Sequence, residues 1–192
     1  MTLLQQLRDD TRDLHDTTES VAYVDKIKAA TMTTDDYADL LLKNYVIHDR
    51  LENALAAAAS VVEEGHPLRD FLRPQRVDLI LEDLESLDRE APMLPMDMPL
   101  QIYSLPGLVG TLYVVEGSSM GSKMIAKQLK RSEQIESGAS FEFYETMGRG
   151  SSDRWQHFRS IVSDRDWSES ERGEVIAAAR RTFEFIREVF TG

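Results

Sequence analysis

Apolar side chains recur along most of this chain at steps of three and four residues, the spacing of one face of an α-helix. The clearest stripe runs through Tyr37, Leu40, Leu41, Tyr45, His48, Leu51, Leu55, Ala59 and Val62. Thr34 is its expected N-cap, and Gly65 followed by Pro67 supplies a stop. Leu3, Leu7, Thr11, Leu14 and Thr18 predict an earlier helix. Val77, Ile80, Leu81, Leu84 and Leu87 predict another within residues 75–90. Pro92, Pro95, Pro99 and Pro106 crowd into a connecting segment that contains helix starts. A central helix is expected over about residues 107–131, and residues 148–151 read as a loop. Ser168 with Glu171 forms a capping box that opens a final helix toward Phe190. No strand pair, repeat or interdomain linker stands out. The expected fold is all-α, a single compact helical domain over residues 1–192.

Composition narrows the function classes. The 192 residues suit one domain with a core large enough to enclose a cofactor. Hydrophobic residues at 42% and charged residues at 29% are ordinary for a globular protein. The 34 acidic residues against 22 Lys plus Arg leave a net charge of −12, with a pI near 4.8. That balance argues against nucleic-acid binding and against docking on anionic lipid, so an anionic ligand needs a local cluster of Arg or Lys. The absence of cysteine excludes disulfides, Cys-ligated zinc, thiolate-ligated haem and a thiol nucleophile. The N-terminal residues are too polar for a signal peptide. The most apolar stretch, residues 105–115, is far shorter than the ~20 residues that span a bilayer. A cytoplasmic location is expected.

Two segments carry candidate chemistry. In Thr11-Arg12-Asp13-Leu14-His15-Asp16-Thr17-Thr18-Glu19, His15 and Glu19 are four residues apart and share a helix face. A neutral imidazole can bind a metal through one nitrogen while the other donates to a carboxylate that fixes its orientation. A solvated surface pair is the ordinary reading of such spacing. The central segment Tyr113-Val114-Val115-Glu116-Gly117-Ser118-Ser119-Met120-Gly121-Ser122-Lys123 is more unusual. Gly117 and Gly121 lie one turn apart and leave a helix face without side chains. Each interior glycine costs about 1 kcal/mol relative to alanine. Either a closely packed neighbouring helix or a flat ligand against the bare backbone compensates.

Taken together, these segments resemble the haem oxygenase family. Leu7-Arg8-x-x-Thr11-x-x-x-His15-x-x-x-Glu19 resembles its proximal helix, and Tyr113 through Gly121 resembles its glycine-containing distal helix in the bacterial Glu-Gly-Ser form. Phe158-Arg159-Ser160 resembles the family's aromatic-Arg-Ser step, and Phe183 and Phe190 match phenylalanines of its last helix. The resemblance implies haem b held between a proximal N-terminal helix and a glycine-kinked distal helix. His15 would be the axial ligand and Glu19 its orienting partner. Gly117, Ser118 and Gly121 would form the reactive distal wall. Arg8 and Arg159 would pair with the haem propionates, Tyr113 would lie near one of them, and Phe183 would pack near the haem edge. The implied reaction is cleavage of haem at a meso carbon, the α position favoured, to biliverdin, carbon monoxide and Fe2+. It uses O2 and an external reductant such as a ferredoxin or a flavin reductase. Ser118 stands where animal members have an aspartate, and Trp155 where a propionate-binding lysine is common. Lys127 offers an alternative seating.

Other residues read more plainly. His48 sits on the core stripe and reads as a packed histidine, Glu116 as a structural hydrogen-bonding carboxylate, and His66 and His157 receive no role. Lys123, Lys127, Lys130 and Arg131 make a basic stretch where an acidic electron donor could dock. A monomer is the simplest expectation. A non-catalytic haem carrier or sensor would share the same binding residues. A di-iron oxidase would need Glu-x-x-His pairs on two helices, and Glu63 to His66 is the only such spacing.

Overall fold

The computed structural model describes residues 1–95 and 100–192, so Pro99 lies outside the described residues. Among these residues it is all-helical: α1 (Leu3–Val21), α2 (Val24–Ala29), α3 (Thr34–Ala57), α4 (Arg76–Ser86), α5 (Leu105–Ser118), α6 (Ser122–Leu129), α7 (Glu142–Gly148), α8 (Ser151–Ser163) and α9 (Glu169–Thr191). No described helix is long and apolar enough to cross a membrane.

Helix α5 is the centre of the fold because it is apolar on nearly every side. Residues 106–116 are buried except Tyr113, as expected of a helix with no polar face. It packs along α9, and Gly110 is what lets the two backbones meet. A Cβ there would collide with the carbonyl oxygen of Val175 and lie 2.8 Å from Ala178 Cβ and 2.9 Å from Ala179 N. Helix α9 also covers α1, where Arg180 donates to both carboxylate oxygens of Asp13 at 3.2 Å and to the carbonyl of Asp10. One apolar cluster joins α1, α5, α8 and α9, with Leu7, Leu112, Phe158 and Val175 fully buried. A second joins α2, α3, α4, α6 and α7 around Met32, Tyr37, Leu41, Ile80 and Leu129.

Several boundaries differ from the sequence expectation for identifiable reasons. The N-cap of α3 is Thr33, whose hydroxyl accepts from Asp36 N at 3.1 Å in a capping box. Thr34 is the first helical residue, and its hydroxyl oxygen instead accepts from Glu136 N at 3.0 Å. The stripe continues to Val62, but α3 ends at Ala57 and tightens into a 3-10 turn, Ala58–Val61. Arg69 caps that end, its guanidinium donating to the carbonyls of Ala59, Val62 and Glu63 at 2.9–3.0 Å.

The central helix expected over residues 107–131 is two helices. A 3-10 turn, Ser119–Gly121, separates α5 from α6. The carbonyl of Val115 accepts from Ser118 Oγ at 2.9 Å, Ser119 Oγ at 3.4 Å and Arg76 at 3.1 Å. These donors compete with the helical ladder and, beside two glycines, make this the place where it breaks. Helices α2 and α7 and the 3-10 turn Pro67–Phe71 carry no strong local pattern. The Ser168–Glu171 capping box and the final helix are where the sequence puts them.

Candidate active site

A cavity of about 950 Å³ opens between α1 and the α5–α6 break, with α2, α3, α7, α8 and α9 closing its sides. That is roughly the upper end of the size of a small-molecule site, and its lining is mostly apolar. On the α1 side it is bounded by Arg8, Thr11, Arg12, His15, Thr18 and Glu19, which share one helical face at three- and four-residue steps. On the opposite side are Tyr113, Gly117, Ser118 and Gly121.

His15 is half-exposed at the cavity wall. Its Nδ1 lies 3.4 Å from Asp16 Oδ1 and its Nε2 lies 3.8 Å from Glu19 Oε1, too far for a hydrogen bond. The ring meets Phe183 edge-on, with centroids 6.1 Å apart. Two carboxylates thus flank the imidazole, and an aromatic edge limits its swing.

The facing wall explains its glycines. A Cβ on Gly117 would find nothing closer than Trp155 Cη2 at 3.8 Å, and one on Gly121 nothing closer than Ile125 Cδ1 at 3.9 Å. These are ordinary contacts, in contrast to the collision at Gly110. Packing within the chain therefore calls for glycine at position 110, whereas at 117 and 121 a methyl group would fit in ordinary contact, and both residues line the cavity. Tyr113 is half-buried, and burial pushes its phenol pKa up against the pull of Thr11 and Arg8.

Polar groups left over in the interior point the same way. Among the described residues, the buried side-chain polar atoms that find no hydrogen-bond partner are Thr18 Oγ1 and His48 Nδ1, and both residues line this cavity. Burial and the charge of Arg76 hold the His48 pKa well below its ordinary value, so the ring is neutral. It packs edge-on against Phe143, 5.3 Å away. The sequence marked His48 only as a polar member of the core stripe; an unpartnered nitrogen at a cavity wall is a feature that stripe does not reveal.

The cations divide unexpectedly. Arg8 lines the cavity but extends into solvent beside Asp9, at 3.2 Å. Arg12 and Lys28 line it as well, and neither was singled out from the sequence. Arg12 is four residues from Arg8, and that spacing was the available signal. Arg159 is exposed on α8, one turn beyond Trp155, and is not among the lining residues; neither is Lys127. Phe183 does line the cavity.

Behind the wall that carries Gly117, Glu116 is only 1% exposed and holds two arginines. Arg154 donates to both of its oxygens, at 2.6 and 3.2 Å, and buried Arg76 reaches it at 3.3 Å. Burial pulls the Arg76 pKa down to about 10, while Glu116 pulls it up. The group ties α4 and α8 to the last turn of α5 and fixes the backbone that carries Gly117. Arg154 also lies over the Phe71 ring at 4.5 Å.

The family model for heme oxygenase matches residues 1–192. This chain belongs to the haem oxygenase family. A protein named heme oxygenase from Xanthomonas campestris pv. campestris (strain 8004) is 28% identical over 152 residues, which cover 78% of this chain and 85% of that one. Among solved structures, the heme oxygenase of Leptospira interrogans superposes with a TM-score of 0.73 at 20% identity, covering 100% of this chain and 99% of its own. The NO- and CO-bound heme oxygenase of Neisseria meningitidis gives 0.72 at 20% identity, covering 99% and 90%. The cyanobacterial heme oxygenase-1 of Synechocystis, in complex with heme, gives 0.71 at 15% identity, covering 100% and 91%. The all-α fold is thus that of the haem oxygenases, and the chain is an oxidoreductase of this family. The di-iron alternative finds no donor set: among the described residues no three His, Asp or Glu side chains group as a metal site.

Proposed function

We propose that residues 1–192 form one haem-binding unit that takes haem b into the cavity and opens it at a meso carbon, α being favoured. The products are biliverdin, carbon monoxide and Fe2+. The observation that supports this is the pairing, across one cavity, of His15 with two glycines whose missing side chains nothing else in the chain requires.

In this reading His15 would hold the haem iron through one ring nitrogen, while the carboxylate of Glu19 would orient the ring through the other. Arg8 and Arg12 gather the propionates, with Tyr113 beside them. Gly117, Ser118 and Gly121 present backbone and a small hydroxyl to the cavity, and among the described residues no acidic side chain lines that side. Thr18 and His48 offer polar atoms to ordered water. Phe183 limits the His15 ring. Haem, when bound, supplies the iron at which O2 is reduced, and the macrocycle itself is the substrate; an imidazole ligand lacks the electron push of a thiolate. Electrons come from an external reductant such as a ferredoxin or a flavin reductase. The protein acts as a cytoplasmic monomer, without nucleic-acid or membrane partners.

The test is a titration of the purified protein with haemin, followed by reductant in air. The expected result is a coordinated-haem spectrum that bleaches as bile-pigment bands rise. A haem spectrum stable under reductant would make the chain a carrier or sensor. Failure to take up haemin would end the proposal.

Lys123 and Lys127 are exposed one turn apart on α6, whereas Lys130 pairs with Glu145. On so acidic a protein this is where an acidic donor would dock. Charge reversal at Lys123 and Lys127 is expected to slow donor-dependent turnover at low salt; an unchanged rate would remove this surface from the account.

A further inference from the structure

Trp155 stands in the cavity wall beside the reactive glycines, and its surroundings give it a specific task. The benzo edge of the indole, Cη2 and Cζ3, lies 3.8 and 3.9 Å from where a Cβ on Gly117 would sit. The gap is therefore one methyl group wide. A second aromatic sheet between them would need about 3.5 Å on each of its faces, so it cannot enter. A planar ligand lying along Gly117 meets the indole at its border.

The indole is also well fixed. It stacks on Phe158, which is fully buried, with centroids 5.6 Å apart and planes at 22°. It also meets the Tyr113 ring, with centroids 5.6 Å apart and planes at 54°. Phe158 is in turn held edge-on by Phe71 at 5.9 Å.

Charge at this end of the cavity is arranged to match. Arg154 is committed to Glu116, and Arg159 does not line the cavity. The lysine and arginine residues that do line it are Arg8, Arg12 and Lys28, all from α1 and α2. The α8 wall itself thus contributes a rigid apolar surface and no lining cation, while Arg8 of α1 lies close enough to Tyr113 to act on its phenol.

We propose that Trp155 is a positioning residue, the end stop of the cavity, which fixes the in-plane seating of the macrocycle and with it the meso carbon that is cleaved. The stop sets how far the ring can travel along Gly117, and the α1 and α2 cations set which edge carries the carboxylates. This inference rests on the haem-binding reading above.

The experiment compares wild type, Trp155→Phe, Trp155→Leu and Trp155→Ala as haem complexes. Proton NMR of the cyanide-inhibited ferric complexes counts seatings from the shifted haem methyl resonances, without turnover. Chromatography of the biliverdin isomers reads the same property after turnover. Wild type and Trp155→Phe are expected to show one dominant seating and one dominant isomer. Trp155→Leu and Trp155→Ala are expected to show a second seating, a matching second isomer, and haem loss faster by about tenfold, the equivalent of one aromatic contact. A single wild-type seating and isomer in both truncated variants would overturn the stop, even with a lower melting temperature, because that pattern marks core packing alone. The leucine variant keeps the question answerable if alanine fails to fold. Wild-type protein that takes up no haemin overturns the underlying reading, and the titration above detects that separately.

Discussion

His15→Ala is expected to abolish coordinated haem and, with it, turnover. The imidazole is half-exposed, and its contacts are two carboxylates and one aromatic edge, so removing it takes little from the fold. Circular dichroism and the melting temperature should match wild type. The loss should fall on the ligand. Removing a residue that merely orients a metal ligand costs roughly 10–100-fold in affinity, and removing the ligand itself should cost more. Haemin titration followed by its Soret band and spin state measures this. Adding free imidazole, which can enter the space left by the side chain, should restore the coordinated spectrum. A His15→Ala protein with wild-type spectrum and turnover would show that another residue holds the iron.

Glu116→Leu is expected to be the most destabilising single change near the site. Arg76 is 3% exposed at its side chain, and Glu116 is its anionic partner at 3.3 Å. Without it the guanidinium remains buried beside a second arginine, and breaking such a pair from one side costs about 3–5 kcal/mol. For a chain of this size that corresponds to a fall of about 10 °C in melting temperature. Arg154→Met should cost less, because Arg154 is partly exposed and leaves Arg76 and Glu116 still paired. Combining Glu116→Leu with Arg76→Met should recover much of the loss, since the uncompensated charge is then gone. Thermal and urea denaturation provide the comparison. A Glu116→Leu protein as stable as wild type would mean that the cluster does not hold the end of α5.

What the sequence revealed and what it concealed follow the distance between partners. Helices with a self-contained amphipathic stripe or cap, such as α1, α3 and α9, are legible because every group that makes them lies within a few residues. Helix α7 is not. Asp83, on α4, caps it by accepting from Glu142 N at 2.8 Å and Phe143 N at 3.0 Å, about sixty positions away. Helix α4 itself begins after Gln75 at φ 51°, and Glu52 of α3 accepts from Arg76 N and Val77 N at 2.5 and 3.1 Å. No local window contains either cap.

The site divides along the same line. His15 and Glu19 were visible because spacing on one helix places them, and Gly117 and Gly121 because they lie within four residues of each other. The arginines around Glu116 were not, since their pairing joins residues 38 and 40 positions apart. Arg159 shows the limit of a short motif: its place there suggested a cavity contact, and on α8 it is Trp155, one turn earlier, that lines the cavity.

His15 and every lysine and arginine lining the cavity lie within residues 8–28, whereas the glycine wall lies nearly a hundred residues later. Under the proposed reading, grip and chemistry are therefore encoded in separate stretches of the chain. On that reading, changes in the first two helices would alter the hold on an anionic guest and leave the facing glycine wall untouched, and a library randomised over either stretch would explore one property at a time.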